Sequence, residues 1–239
     1  MRIIWIGQSG YVISTGTTQI ILDPYLSDAV NRVAGRPRMI EAPIKPHEIH
    51  ADVIICTHNH LDHLDVDAIA EMDRDQHFIT TEDGRATLQK MGFSNVCAVK
   101  VGQTVIVGDV EITAVFSKHT VESFGLIIKA EGNTLYFSGD TLYDERLFEI
   151  ADFSPDIAFV CINGKLGNMN VQEAAIVAKH IGAKTNIPNH YGMFASNTER
   201  PELFTSQVEN GLIMEMGKEY CVVKGELKHV DSGAVENCR

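Results

Sequence analysis

The sequence predicts an α/β fold in which two mixed β-sheets pack face to face and the helices lie outside. Three observations carry this expectation. Strand-like and helix-like runs alternate in blocks along 239 residues, β-rich, then helical, then β-rich, then helical, and two sheets covered by helices bury all of them. Short stretches such as Val53–Cys56 and Ile157–Ile162 are wholly apolar, the pattern of strands covered on both faces. Hydrophobic residues make up 44% of the chain and charged residues 22%, which suits a single domain over residues 1–239 with an ordinary core.

The elements follow in order. Arg2–Ile6, Tyr11–Ser14 and Gln19–Leu22 read as strands separated by glycine-containing turns. Asp23-Pro24 stops the third, because proline has no N–H to give a ladder. A long loop leads to Val53–Cys56. Asp65 can cap a helix over Val66–Met72. Phe78–Thr80 is a short strand, Thr81 can cap a helix to Met91 that stops at Gly92, and Val96–Val99 is again strand-like. Two hairpins follow: Val105–Val107 with Val110–Ala114 around Gly108-Asp109, and Gly125–Ala130 with Thr134–Ser138 around Gly132-Asn133. A helix over Asp144–Ile150 precedes the strand Ile157–Ile162. Asn170 can cap an amphipathic helix over Val171–Ile181 that ends at Gly182. A strand at Thr185–Ile187, a helix starting near Pro201, and strands Glu219–Val223 and Glu226–Val230 turning at Lys224-Gly225 complete the chain, with a polar tail after Asp231.

Charge and cysteines narrow the function. A formal net charge of −12 repels a phosphate backbone, so long nucleic acid and anionic membrane are not expected partners. A small molecule is, and a second copy of the chain fits as well. No segment reaches membrane-spanning length, and the first residues lack the features of a signal peptide. Cys56, Cys97, Cys161, Cys221 and Cys238 are scattered without a CxxC pair and read as reduced thiols. The expected compartment is the cytoplasm.

The chemistry is concentrated in "THNHLDH", residues 57–63, directly after Val53–Cys56. His58, His60, Asp62 and His63 leave a buried strand in one turn. Imidazole and carboxylate together suit zinc, manganese or iron. So short a turn cannot wrap one ion with all four groups, and two adjacent ions are the more natural guests. A solvated histidine-rich loop is the ordinary alternative, but the density and the strand-end position argue against it. Further donors stand after other apolar strands: His119 in "FSKHT", Asp140 in "YFSGDT" and His190 in "IPNHYGMF". Each alone is an ordinary capping or solvated residue; the set, in that order, is not. His47, His50, His77, His180 and His229 lack this context and read as ordinary histidines.

This order of motifs, with "ILDPYL" near the start, resembles the metallo-β-lactamase superfamily. Within it, "INGKLGNMN", "EAAIVAKHIGAK" and "IPNHYGMFASNT" resemble the L-ascorbate-6-phosphate lactonases and their shorter relatives. The resemblance implies the αββα sandwich of that superfamily and two divalent ions, zinc or manganese. It implies that His58, His60 and His119 hold one ion, that Asp62, His63 and His190 hold the other, that Asp140 bridges them, and that Asp23 supports the metal loop from behind. Water between such ions ionises near neutral pH and serves as the nucleophile. The expected reaction is hydrolysis of a small anionic ester or lactone, with a sugar-phosphate lactone such as L-ascorbate 6-phosphate as the example. Phosphodiester hydrolysis of a nucleotide or RNA, and a non-catalytic, metal-stabilised binding protein, are the alternatives.

Other residues carry subsidiary expectations. Asp62 could orient the nucleophile or pass its proton on. Tyr191 could donate to a developing oxyanion or simply pack. Asn163 could face the site or only form a turn. Gln8 and Ser9, in the first turn, could line the pocket. Arg32, Arg36 and Arg38 in the long loop, and Arg200 at a helix start, could clamp an anionic group. The ordinary reading of the loop arginines is a solvated basic segment or a subunit contact.

Overall fold

The computed structural model describes residues 1–230. The chain begins with β1 (Arg2–Gly7), β2 (Gly10–Ser14) and β3 (Gln19–Leu22), then a short helix α1 (Ala29–Ala34). Next come β4 (Val53–Ile55), α2 (Val66–Ile69), β5 (Phe78–Thr80), α3 (Glu82–Lys90) and β6 (Val96–Ala98). The second half opens with β7 (Thr104–Val107), β8 (Val110–Val115), β9 (Gly125–Ala130) and β10 (Asn133–Phe137). It continues with β11 (Ile157–Cys161), α4 (Val171–Ile181), β12 (Thr185–Asn189), α5 (Pro201–Thr205), β13 (Glu219–Val223) and β14 (Glu226–His229). Two mixed sheets result, one in the order β14-β13-β1-β2-β3-β4-β5-β6, the other β12-β11-β10-β9-β8-β7.

Alternation along the strands sorts the core. Ile3, Trp5, Val53, Ile55 and Ile79 join the large cluster that includes Leu126, Phe137 and Phe159 of the second sheet. Their neighbours Ile4, Ile6, Ile54, Cys56 and Phe78 point the other way, to a second cluster with Ile69 and Leu88 of the helices. A wholly apolar strand is therefore required wherever both faces are covered, and each such side chain contributes about 1.5–3 kcal/mol by burial.

Strand direction sets the position of the site. β1 and β3 both run antiparallel to β2, and β4 is parallel to β3. In the other sheet β8 and β10 both run antiparallel to β9, and β11 and β12 continue parallel to β10. The C-terminal ends of β1, β3 and β4 thus share one edge of their sheet, and those of β8, β10 and β12 share one edge of theirs.

Several expectations shift in detail. The long loop after β3 contains α1, which no side chain caps at its N-terminus; its end is marked by Gly35 in the left-handed region. The helix expected over Asp144–Ile150 is a 3-10 stretch, Glu145–Phe153. The helix expected to reach Met72 stops at Ile69. The β9–β10 turn is Glu131-Gly132, both with positive φ, one residue earlier than expected. Lys224-Gly225 turns as predicted, again with both φ values positive. Cys56, Cys97 and Cys161 are free, but Cys221 is disulfide-bonded, which corrects the reading of every cysteine as a reduced thiol; scattered spacing does not reveal such a pairing. Cys238 and the tail after Asp231 lie outside the described residues. No helix among the described residues is long and apolar enough to cross a membrane.

Candidate metal centre

The turn after β4 is held from beneath by two buried carboxylates. Asp23, at the end of β3, accepts from the Thr57 N–H at 2.8 Å and from Thr57 Oγ1 at 2.8 Å, and His63 Nδ1 donates to it at 2.7 Å. Asp65 caps α2 through the Ala68 N–H and also accepts from the N–H groups of Leu26 and Ser27 and from Ser27 Oγ. One residue thereby fixes both the metal turn and the start of the loop that carries α1. Within the turn, the N–H groups of His63 and Leu64 both donate to the His60 carbonyl. This tight winding aims His58, His60, Asp62 and His63 toward the second sheet.

From that sheet, His119 follows β8, Asp140 follows β10 and His190 follows β12. His60 Nδ1 lies 3.0 Å from His58 Nε2 and 3.1 Å from His119 Nε2, so three imidazole nitrogens surround one point. Asp62 Oδ2, His63 Nε2 and His190 Nε2 surround a second, with Oδ2 3.4 Å from His190 Nε2 and 3.8 Å from His63 Nε2. Asp140 stands between. Its Oδ2 faces His119 Nε2 at 3.7 Å and His58 Nε2 at 4.0 Å. Its Oδ1 faces His63 Nε2 and His190 Nε2, each at 3.3 Å.

The donor set suits divalent cations. His63 Nε2 and Asp140 Oδ1 are buried and have no hydrogen-bond partner, a costly arrangement unless a cation takes them. His63 gives its Nδ1 hydrogen to Asp23, and His119 gives its own to the Gly167 carbonyl at 3.0 Å. In both rings the lone pair is left on Nε2, which faces the centre. Gly167 has φ +93°, and a Cβ there would come within 2.9 Å of His119 Nδ1, so the support for His119 requires glycine.

Electrostatics and backbone mark the same cluster. Burial drives His58 and His60 toward their neutral, ligand-competent form, and neighbouring imidazoles add to it. Burial opposes charge on Asp62 and Asp140, yet His63 and His190 hold both below the usual carboxylate range. Burial would lower His63 and His190, but the facing carboxylates raise both, His190 to about 9. Gln8, Asp23 and His190 all have positive φ (49°, 42° and 60°), a strained conformation for these residue types that concentrates at functional sites.

The structure brings together His58, His60, Asp62, His63, His119, Asp140 and His190, with Asp23 behind them. Gln8 also arrives here: its Nε2 donates to Asp62 Oδ2 at 2.8 Å. Ser9 does not; it is buried and accepts from Asn189 Nδ2. Tyr191 is corrected: it packs in the core with its ring 5.0 Å from Trp5, because the chain turns sharply at His190. Asn163 is one step removed from the cleft, donating to Asn197 Oδ1 at 2.8 Å.

A cleft of about 490 Å³ opens onto His60, Asp62, Asp140 and His190. Val30, Ala34, Leu61 and Leu166 form apolar walls, and Arg36 supplies a cation. The other expected arginines are occupied elsewhere. Arg32 makes a forked pair with Asp67. Arg38 donates to the carbonyls of Ser27 and Ile40 and lies over the Tyr25 ring. Arg200 is exposed beside Glu202. Sequence reading does not single out Thr57, Thr120, Gly167 or Asn197, although each lies inside a motif it marks: "THNHLDH", "FSKHT", "INGKLGNMN" and "IPNHYGMFASNT".

Comparison with known proteins agrees with this geometry. The description of a β-lactamase superfamily domain matches residues 18–191. The chain is 28% identical to a UPF0173 metal-dependent hydrolase of Methanopyrus kandleri, over 92% of this chain and 99% of the relative. It is 30% identical to another from Methanosphaera stadtmanae, over 90% and 94%. Among solved structures, an isothiocyanate hydrolase from Delia radicum gut bacteria has the same fold, with a TM-score of 0.78 at 20% identity over 92% of this chain and 98% of that one.

Proposed function

This chain belongs to the β-lactamase superfamily, among its UPF0173 metal-dependent hydrolases, and we propose that it hydrolyses a small ester or lactone that joins a hydrocarbon body to an anionic group. The observation that carries this reading is Asp140, whose two oxygens each face a different pair of imidazoles. His58, His60 and His119 would hold one divalent ion, Asp62, His63 and His190 the other, and Asp140 both. When bound, such ions polarise the scissile group and lower the pKa of an attacking water.

The chain's own groups supply the rest. Asp62 engages Gln8 through Oδ2, which leaves Oδ1 to orient the attacking water and take its proton. Val30, Ala34, Leu61 and Leu166 give the cleft apolar walls that seat carbon rather than hydroxyls. Arg36 has no ion pair among the described residues and faces the cleft, so an anion on the substrate finds a guanidinium there. L-ascorbate 6-phosphate would meet that charge, but its hydroxyls would lie against apolar walls with few partners, at a cost. A lactone or ester with a plainer carbon skeleton matches better.

The test is a substrate comparison with protein loaded with zinc or manganese. An anionic hydrocarbon ester or lactone, its neutral counterpart, a sugar-phosphate lactone and a phosphodiester would be assayed side by side. The first should have the highest kcat/KM. Arg36→Ala should raise its KM about tenfold, one charge-assisted hydrogen bond's worth, and leave the neutral counterpart unchanged. Turnover confined to the phosphodiester would replace this reading with a nuclease-like one. Bound metal without turnover of any of them would favour a binding protein.

A further inference from the structure

We propose that Gln8 is a positioning residue for one ion only, the ion that Asp62, His63 and His190 would hold, a role that rests on the metal reading above. Gln8 is completely buried, unusual for a long amide, and its backbone sits in the left-handed region at φ 49°, a strained conformation for a residue other than glycine. The fold enforces that conformation. The β1–β2 register is irregular between Trp5 and Gly7, and Trp5 Nε1 donates to the Gln8 carbonyl at 3.0 Å. A strained, buried amide held from both sides calls for a reason.

Its contacts supply one. Gln8 Nε2 donates to Asp62 Oδ2 at 2.8 Å, and the carboxylate dictates that the NH₂ end of the amide points there. The same nitrogen lies 3.1 Å from His190 Nε2 and 3.4 Å from His190 Nδ1. An atom so nearly equidistant from both ring nitrogens cannot lie in the ring plane without overlapping ring carbons. It lies over the face of the imidazole. The Nε2 edge of the ring, 3.3 Å from Asp140 Oδ1 and 3.4 Å from Asp62 Oδ2, is thus left clear, while the amide blocks the ring from tilting. Gln8 therefore fixes Asp62 by a hydrogen bond and His190 by contact. Its side chain has no hydrogen bond to His58, His60 or His119, and it does not line the cleft. The expectation that it binds substrate gives way to a role behind the donors.

The asymmetry makes the test specific. Gln8→Leu removes the amide at similar size. Gln8→Asn tolerates the left-handed backbone but is one carbon too short to reach Asp62. Metal would be titrated into each apo-protein against a competing chelator, with elemental analysis for stoichiometry and circular dichroism to confirm the fold. Asp62→Ala marks which of the two binding phases belongs to this half. Wild type should take up two ions in two phases. Both Gln8 variants should keep the phase that survives in Asp62→Ala and weaken the other about 10- to 100-fold, the usual effect of removing a partner behind a ligand. Unchanged affinity in both phases, or equal weakening of the two, would overturn the assignment. A wild-type chain that binds no metal would instead overturn the metal reading, and this inference with it.

Discussion

Asp23→Asn should weaken metal at His63 by moving a single proton. In the native chain Asp23 only accepts. Oδ1 takes the Thr57 N–H at 2.8 Å, and Oδ2 takes both Thr57 Oγ1 at 2.8 Å and His63 Nδ1 at 2.7 Å. Asparagine has the same shape and tolerates the positive φ of this position, but one of its ends is a donor. If its carbonyl keeps the Thr57 N–H, its NH₂ faces two former donors. The Thr57 hydroxyl can rotate and accept. His63 Nδ1 can accept only by giving up its hydrogen, and that hydrogen then belongs on Nε2, the nitrogen 3.3 Å from Asp140 Oδ1. The ligating lone pair is lost. Restoring it leaves the Nδ1–H facing the asparagine NH₂ with no acceptor, and a buried donor without a partner costs about 1–3 kcal/mol, or about 5- to 150-fold in metal affinity at 1.4 kcal/mol per decade. The assay is competition with a chromophoric chelator at fixed pH, with a thermal melt to confirm folding. A folded variant that holds both ions as tightly as the parent would refute the reasoning.

Three further outcomes are expected. Asp140→Ala should lose most of both ions, since each of its oxygens faces a different donor pair; elemental analysis showing full occupancy would remove it as the bridge. Gly167→Ala places a Cβ 2.9 Å from His119 Nδ1 at φ +93°, so it should cost about 1–2 kcal/mol of backbone strain and weaken chiefly the ion at His58, His60 and His119; metal titration showing the loss in the other ion would contradict this. Burial alone would lower His190, but Asp140 and Asp62 raise it to about 9, and metal must displace that proton. Affinity should therefore climb as pH rises toward 9, with measurable proton release in a pH-stat. In the metal-free protein the same raised value contributes stability that is complete below about 6.5 and is lost as pH rises through 9. Apo-protein melts that do not decline over that range would count against it.

The sheets were legible because apolar runs bounded by glycine and proline admit few other readings, and the donors were legible because they end such runs. What escaped was set by tertiary contact. Glu145–Phe153 has the apolar spacing of a helix but winds as 3-10. α1 is short and lacks a side-chain cap, so nothing local announces it, yet it carries Val30 and Ala34 into the cleft wall. The arginines show the limit most clearly. Arg32, Arg36 and Arg38 are equivalent on paper, and only the positions of Asp67 and of the Ser27 carbonyl assign two of them elsewhere and leave Arg36 facing the cleft. Gln8 and Tyr191 each stand beside chemistry in the sequence, and the turns at positive φ decide that one points in and the other away.

The donors also have an order in time. His58, His60, Asp62 and His63 lie in the first third of the chain, whereas His190 arrives only after β12. A nascent chain on the ribosome exposes an incomplete, histidine-rich turn long before the strand carrying its last partner has been made. That turn can bind stray cations only loosely until β12 pairs with β11. Secure loading therefore belongs to the finished protein, and whichever metal is most available when the two sheets close has the first claim on the site.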